Sequence, residues 1–257
     1  FLENSFSSNY TISNIYYTTQ QNDVNNPTDY SKWKVGNTFI GTPASDLLAG
    51  GIAVAVIVEK DDKVLLYDTG KAWQNGSIAE QVVTPVLHQR GYESIDTMIL
   101  SHSDNDHAGG RLFIEDAFSP QRKLSSQNFI GYESCTRGDH WKWQGLNIEV
   151  LWPPALVQRA YNPHSCVLRL TDPISTFSML FTGDIETISE WILLREPEKL
   201  KSDVMLVPHH GSKSSSNPRF IEAVNPSVAV ASLAKNNQWG MPAEHVVEIG
   251  RASCRER

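Results

Sequence analysis

Histidines and acids gather in four places along this 257-residue chain, and each place follows a short apolar run. Residues 64–67 lead into Asp68-Thr69-Gly70. Residues 98–101 lead into His102-Ser103-Asp104-Asn105-Asp106-His107-Ala108-Gly109-Gly110. Residues 179–182 lead into Gly183-Asp184, and residues 205–208 into His209-His210-Gly211-Ser212. Apolar runs of this length between turn signals read as strands. Strands of a packed α/β sheet would carry all four clusters at their C-terminal ends, the edge where such sheets bind ligands. One coincidence of this kind carries little; four predict a single assembled site.

Imidazole beside carboxylate is a ligand set suited to Zn²⁺ or Mn²⁺. In the densest segment His102, Asp104 and Asp106 alternate along a tight loop, with His107 beside them and a Gly-Gly pair after them. Three plainer readings compete. A solvated acidic loop seldom follows a buried strand and ends in Gly-Gly. A calcium loop finds Asp104, Asp106, Gly109 and Glu115 at its expected offsets, but Ala108 where a ligand belongs and a strand where a helix should precede it. An Asp-His pair working without metal leaves the double histidine unused.

The remaining signals are weaker one by one. His209-His210 after a strand and before Gly-Ser reads as a ligand pair. Asp184 and Asp68 each sit in a turn that could be only a turn. Asp68 could simply brace the loop. His164 could complete a metal shell, whereas His88 and His245 read as structural. Residues 137–143 carry Trp141 and Trp143 in alternation near Arg137 and Lys142. They read first as an edge hairpin packing its tryptophans on a sheet, with a stacking platform for nucleic-acid bases as the alternative.

The positioning elements are legible from periodicity. Strands are expected over 52–58, 63–67, 97–101, 146–151, 166–170, 177–181, 204–207 and 228–232. Helices are expected over 77–90, 112–118, 185–200 and 218–224. Ser77 and Glu80 form a capping box, Gly91 a stop, and Pro85 should divide the first helix. This alternation predicts a layered α/β domain over residues 49–247. Residues 1–48, rich in Asn, Ser, Thr and Tyr, read as loop-like with at most one short strand. Phe1 in place of Met reads as the start of a fragment, and residues 248–257 as a non-native tail that fits nothing before it.

Composition sets the outer bounds. Hydrophobic residues are 40% and charged residues 20% of the chain, which excludes collagen, coiled coil and wholesale disorder. No apolar run is long enough to span a bilayer. The net charge of −7 argues against nucleic-acid binding through the field of the whole molecule, though bound divalent cations would offset acidic ligands locally. Cys135, Cys166 and Cys254 match neither a zinc-finger nor a disulfide spacing, and Cys166 reads as a small core residue.

Residues 101–110 (SHSDNDHAGG), 67–70 (YDTG), 181–186 (FTGDIE) and 207–216 (VPHHGSKSSS) together resemble the metallo-β-lactamase superfamily. Their order is most similar to the C-terminal domain of the ComEC family, the inner-membrane DNA-uptake channels of natural competence. The resemblance runs from about Ile52 to Val247. It implies an αββα sandwich with the site at one edge and two divalent metal ions, Mn or Zn. His102 and Asp104 would serve the first ion and Asp106 and His107 the second, with Asp184 between them and His210 as the last ligand. His209 stands beside that ligand, and Asp68 is a structural neighbour. The implied activity is phosphodiester hydrolysis, a nuclease degrading one DNA strand during uptake. Asp106 would act as the catalytic acid or base, and Ser212, Lys213 and Ser214 would meet a phosphate oxygen. The implied partners are DNA, the rest of a membrane channel chain and other competence proteins, at the periplasmic face. Two other functions stay open: a phosphoesterase for a small substrate such as a phosphorylcholine ester, and a non-catalytic channel module with a vestigial site. Three departures from the family pattern are visible: Ala49-Gly50-Gly51 before the first long strand, Met241 before Pro242 where relatives carry His, and Asp104 in place of a second histidine. The last hardens the first metal site and shifts it toward Mn²⁺.

Overall fold

A computed structural model of the chain describes residues 15–17, 38–40, 53–233 and 237–255, with side chains over 53–233 and 237–249. Residues 49–51 lie outside these, as does most of the 1–48 segment. Within that segment there are two strands rather than one, β1 (Ile15–Tyr17) and β2 (Thr38–Ile40). β2 pairs antiparallel with β3 (Ala55–Lys60), whose flank would otherwise be bare.

β3 turns back through Asp61 and Asp62, both with positive φ, into β4 (Lys63–Tyr67). A small hairpin of β5 (Ala72–Trp73) and β6 (Gly76–Ser77) follows. The expected first helix is divided as Pro85 predicts. A π-helical turn, Ala79–Val83, passes into α1 (Thr84–Gln89), and Gly91 ends it at φ +81°. β7 (Thr97–Leu100), the short α2 (Asn105–Ala108), α3 (Arg111–Phe118), β8 (Arg122–Ser125) and β9 (Glu133–Ser134) complete the first half. The second half holds β10 (His140–Trp143), β11 (Leu146–Trp152), β12 (Val167–Thr171), β13 (Ser178–Phe181), α4 (Thr187–Leu193), β14 (Val204–Leu206), α5 (Pro218–Val224), β15 (Val228–Val230) and α6 (Glu244–Arg255). The helix expected over 185–200 stops at Leu193, and Pro197 opens a separate 3₁₀ turn.

The strands form two sheets, ordered β1-β2-β3-β4-β7-β8-β9 and β10-β11-β12-β13-β14-β15. Alternate residues of each central strand serve opposite faces. In the first sheet Val56, Val58, Leu65, Tyr67 and Ile99 point inward. They meet Ile148, Leu168, Met179, Phe181 and Leu206 of the second. The outward set of the first sheet, with Ile57, Leu66 and Met98, is covered by Val83, Leu87, Ile114 and Phe118. The outward set of the second, with Leu180 and Met205, is covered by Leu193, Phe220 and Val224. Strands buried on both faces need near-continuous apolar sequence, which these have. The result is the expected αββα sandwich. α6 runs into the segment read as a tail, and its Ile249 packs against the second outer cluster.

Both tryptophans of β10 turn toward the interior. Trp143 is buried and its Nε1 donates to Asp96 Oδ2 at 2.6 Å. Trp141 packs against the inner cluster beneath the Arg122 guanidinium. The hairpin interpretation holds, and this segment offers no stacking platform.

The cysteine spacing misled. Cys135, after β9, is disulfide-bonded to Cys166, before β12, so one bond ties the two sheets together. Pairing depends on the 5.8 Å Cα separation produced by the fold, not on distance along the chain. Cys166 is nonetheless a core residue, as expected. With a sequence separation of 31 between the partners, closing this loop is worth about 3–4 kcal/mol by chain entropy. Replacing both cysteines by alanine should lower the unfolding free energy by that order in urea titration. An unchanged midpoint, with three reactive thiols rather than Cys254 alone in the denatured wild-type chain, would contradict the bond.

Candidate metal centre

All four chemical clusters do lie at strand C-termini, and both adjacent strand pairs, β4 with β7 and β13 with β14, are parallel. Parallel pairing brings the ends of neighbouring strands to the same edge. Asp68 leaves β4 with φ +60°, His102 follows β7, Asp184 follows β13, and His210 follows β14.

The loop from Asp104 to Gly110 is held against the exit of β4 and the entry of β3 by backbone bonds. Thr69 N donates to His107 O at 2.7 Å, Val54 N to Asp106 O at 3.0 Å and Gly110 N to Gly70 O at 3.0 Å. A Cβ on Gly110 would stand 2.6 Å from Thr69 O, and one on Gly109 would meet the Ala72 and Asn105 backbone. The Gly-Gly pair thus permits close approach of loop to strand exit. At the far side His209 (φ 47°) and His210 (φ 56°), with Gly211, form a left-handed turn. Such a conformation is costly for non-glycine residues and recurs where geometry serves a site.

Asp106, His107, Asp184 and His210 converge, each offering a ligand atom within 4.8 Å of the others. His107 Nε2 lies 2.9 Å from Asp184 Oδ1 and 3.3 Å from His210 Nε2. His210 Nε2 lies 3.3 Å from Asp184 Oδ2 and 3.5 Å from Asp106 Oδ2. The outer nitrogens fix both tautomers. His107 Nδ1 is 2.8 Å from the Asp68 carboxylate and His210 Nδ1 2.7 Å from the Ser232 carbonyl, and both partners can only accept. Each Nδ1 therefore donates, and each Nε2 faces the cluster. This is the supporting contact that orients metal-binding histidines.

His102 adds a third such nitrogen. Ser101 Oγ donates to Asp68 Oδ2, so its remaining capacity accepts from His102 Nδ1 at 2.9 Å. His102 Nε2 is then a bare lone pair, buried and without any hydrogen-bond partner. A buried acceptor left without a donor costs about 1–3 kcal/mol unless something else satisfies it. The nearest acid is Asp104, with Oδ2 at 3.7 Å. Three inward imidazole nitrogens among three carboxylates fit a cluster of divalent cations.

Charge accounts agree. Burial disfavours charge on His107, but Asp184 and Asp68 outweigh it and hold its pKa well above the ordinary value. Burial also opposes His210, yet Asp184 and Asp106 raise it to about 9. Burial and the charge of His107 push His102 down to about 4. For Asp184 and Asp106 burial raises the pKa, but His107 and His210 more than reverse it.

The other expected residues stay at the rim. His209 Nε2 accepts from the Asn162 amide at 3.1 Å and lies 3.8 Å from Asp184, so its lone pair is engaged outside the cluster. His164 Nδ1 accepts from Tyr161 N, and the ring is not in the cluster. Ser212 and Ser214 share a hydroxyl contact at 3.0 Å, and Ser214 Oγ also donates to Glu186; Lys213 between them is exposed. Sequence reasoning missed Ser101, Ser165 and Ser232. Ser165 Oγ accepts from Asp184 N and touches His102 Nδ1, a contact 63 residues apart with no local signal. Ser101, next to His102, was within reach as a flanking hydroxyl.

The sequence model of the Metallo-beta-lactamase superfamily matches residues 48–235. The chain belongs to the metallo-beta-lactamase superfamily. Within this superfamily, it is 40% identical over 209 residues to Recombination protein 2 of Haemophilus influenzae, covering 79% of this chain and 26% of that protein. It is 32% identical over 204 residues to Competence protein ComA of Neisseria gonorrhoeae, covering 79% and 28%. The chain thus spans about a quarter of the length of these relatives. The solved metallo-beta-lactamase fold protein YhfI of Bacillus subtilis superposes with a TM-score of 0.51 at 14% identity, covering 86% of this chain and 90% of that one. That likeness concerns the fold alone. The expected family and its competence branch are both met.

In a metal-stripped chain, the raised pKa of His210 contributes stability below pH 6.5 that is lost as pH rises through 9, while the lowered pKa of His102 costs stability as pH falls from 6.5 toward 4. Thermal melts in EDTA should peak near pH 6.5, and adding Mn²⁺ or Zn²⁺ at pH 9 should restore what is lost; a flat profile over pH 4–9 would contradict this. Asp68→Asn should weaken metal binding about 10- to 100-fold in calorimetric titration by loosening His107.

Proposed function

We propose that this chain is a metal-dependent phosphodiesterase that cleaves DNA during uptake. The observation that carries it is the convergence of Asp106, His107, Asp184 and His210 beside the orphaned Nε2 of His102. Asp106, His107, Asp184 and His210 would hold one cation and His102 with Asp104 a second, Asp184 standing between. Bound Mn²⁺ or Zn²⁺ would supply polarisation of a phosphoryl oxygen and a lowered pKa for an attacking water.

The chain's own groups do the rest. Asp106 has a side chain 32% exposed, against 5% or less for His107, Asp184 and His210. It would orient the attacking water and take its proton on a carboxylate oxygen. Asp68 and the Ser232 carbonyl keep the imidazoles in one tautomer throughout. Lys213, exposed just past the double histidine, would meet a phosphate oxygen, with Ser212 and Ser214 shaping its turn. DNA as substrate rests on the named relatives, Recombination protein 2 and a competence protein. The other partners would be the rest of a longer membrane channel chain and other competence proteins. Among the described residues no helix is long and apolar enough to cross a membrane. The Cys135–Cys166 bond supports an oxidising compartment, and with it the periplasmic face.

The net charge of −7 favours a second substrate class, a small phosphoester that needs no extended cationic surface. Elemental analysis of the purified chain names the metal. Assays with that metal should show cleavage of single-stranded DNA, with His107→Ala and Asp106→Ala each losing at least about 100-fold. Cleavage confined to bis(p-nitrophenyl) phosphate or choline phosphoesters would transfer the site to small substrates. Absence of bound metal together with no thermal shift on adding Mn²⁺ or Zn²⁺ would mean a non-catalytic module.

A further inference from the structure

We infer that Tyr161, carrying Arg159 on its ring, is a stacking platform for a nucleobase of single-stranded DNA next to the scissile phosphate. The inference rests on the phosphodiesterase proposal and adds a residue that selects nucleic acid over a small diester.

The loop between β11 and β12 puts this pair at the rim of the cluster. Ala160 O accepts from both Ser103 N at 3.1 Å and Ser103 Oγ at 2.7 Å. Ser103 lies between His102 and Asp104. On the other side of Tyr161 in sequence, the Asn162 amide donates to His209 Nε2 at 3.1 Å. Tyr161 is therefore pinned between neighbours that touch both walls of the site. Ala160 itself is buried, and its N–H donates to Gln127 Oε1, so the base of the platform is rigid.

The ring on this rigid base is not used by the core. Tyr161 is 49% exposed, and the Arg159 guanidinium sits 4.7 Å from its centroid. Three comparable pairs differ. Arg122 covers Trp141, which packs into the interior; Arg219 over Trp191 lies on α5 and α4 without a bond to the site; and Arg111 over Phe129 is paired with Glu115, its ring packed on Tyr132. A half-exposed aromatic beside a phosphodiester site fits the flat face of a base, which stacks without regard to its identity. The guanidinium adds a cation beside the ring that would attract a backbone phosphate, in a chain whose net charge otherwise repels DNA. A small diester with no base would gain nothing from the ring.

The test is fluorescence anisotropy with this chain in EDTA, using a labelled oligothymidylate and an abasic oligonucleotide of the same length. Wild type should bind the base-bearing strand about 5- to 150-fold more tightly than the abasic one, the range expected for one stacked base. Tyr161→Ala should abolish that difference and Tyr161→Phe should keep it, with melting temperatures unchanged because the side chain is exposed. Arg159→Ala should weaken both strands. Equal binding of the base-bearing strand by wild type and Tyr161→Ala would overturn the platform. If wild type still cleaves DNA in that case, the nuclease proposal survives alone; if wild type neither binds nor cleaves any oligonucleotide, both fall.

Discussion

Buried imidazole nitrogens 3.3 Å apart, both facing carboxylates, cannot coexist without positive charge between them. A proton or a cation must supply it. The outer nitrogens of His107 and His210 are engaged by acceptors that never give a proton back. The inner ones are therefore committed to whatever positive species lies in the cluster. His102 differs, since its position favours the neutral ring and leaves a lone pair with no donor in reach. A proton cannot settle all three rings at once. Divalent cations can, and this asymmetry is the physical reason the cluster is a candidate metal centre.

The fold exists around that demand. Two sheets pressed face to face give an apolar interior, and parallel pairing of β4 with β7 and of β13 with β14 brings four strand ends to one edge. The backbone turns left-handed at several points around the candidate ligands. Asp68, Gly183, His209 and His210 all have positive φ. At Gly183 the requirement is steric as well, because a Cβ would sit 2.8 Å from both Ser101 and Ser165. The serines that crowd it also hold His102 and Asp68, so one packed knot of small residues sets the spacing of the ligands. The Cys135–Cys166 bond lies beside Ser165 and fastens the sheets just behind this knot.

Much of this was legible beforehand. Apolar runs of four to seven residues ending in acid or histidine announced the strands, and their common ending announced the site. Pro85 and Pro197 marked the helix breaks, because proline lacks the donor that a helix interior needs. The alternation of Trp141 and Trp143 matches their packing on the sheet. The cysteine pair was not legible, because thirty-one residues of spacing say nothing of proximity. Nor were the serine contacts, whose partners are far away in sequence and whose residue type is common everywhere.

Ligand chemistry and element order were therefore determined by the sequence alone. Residue type decides which atoms can bind a cation, and local periodicity decides strand or helix. Only the tertiary structure decided which of the candidates belong together. It brought Asp106, His107, Asp184 and His210 within 4.8 Å and left His209, His164 and the Ser212–Ser214 turn at the margin. The reason is that the left-handed turn sends the adjacent rings of His209 and His210 in different directions, 64° apart in plane. One ring enters the cluster, and the other hands its lone pair to Asn162.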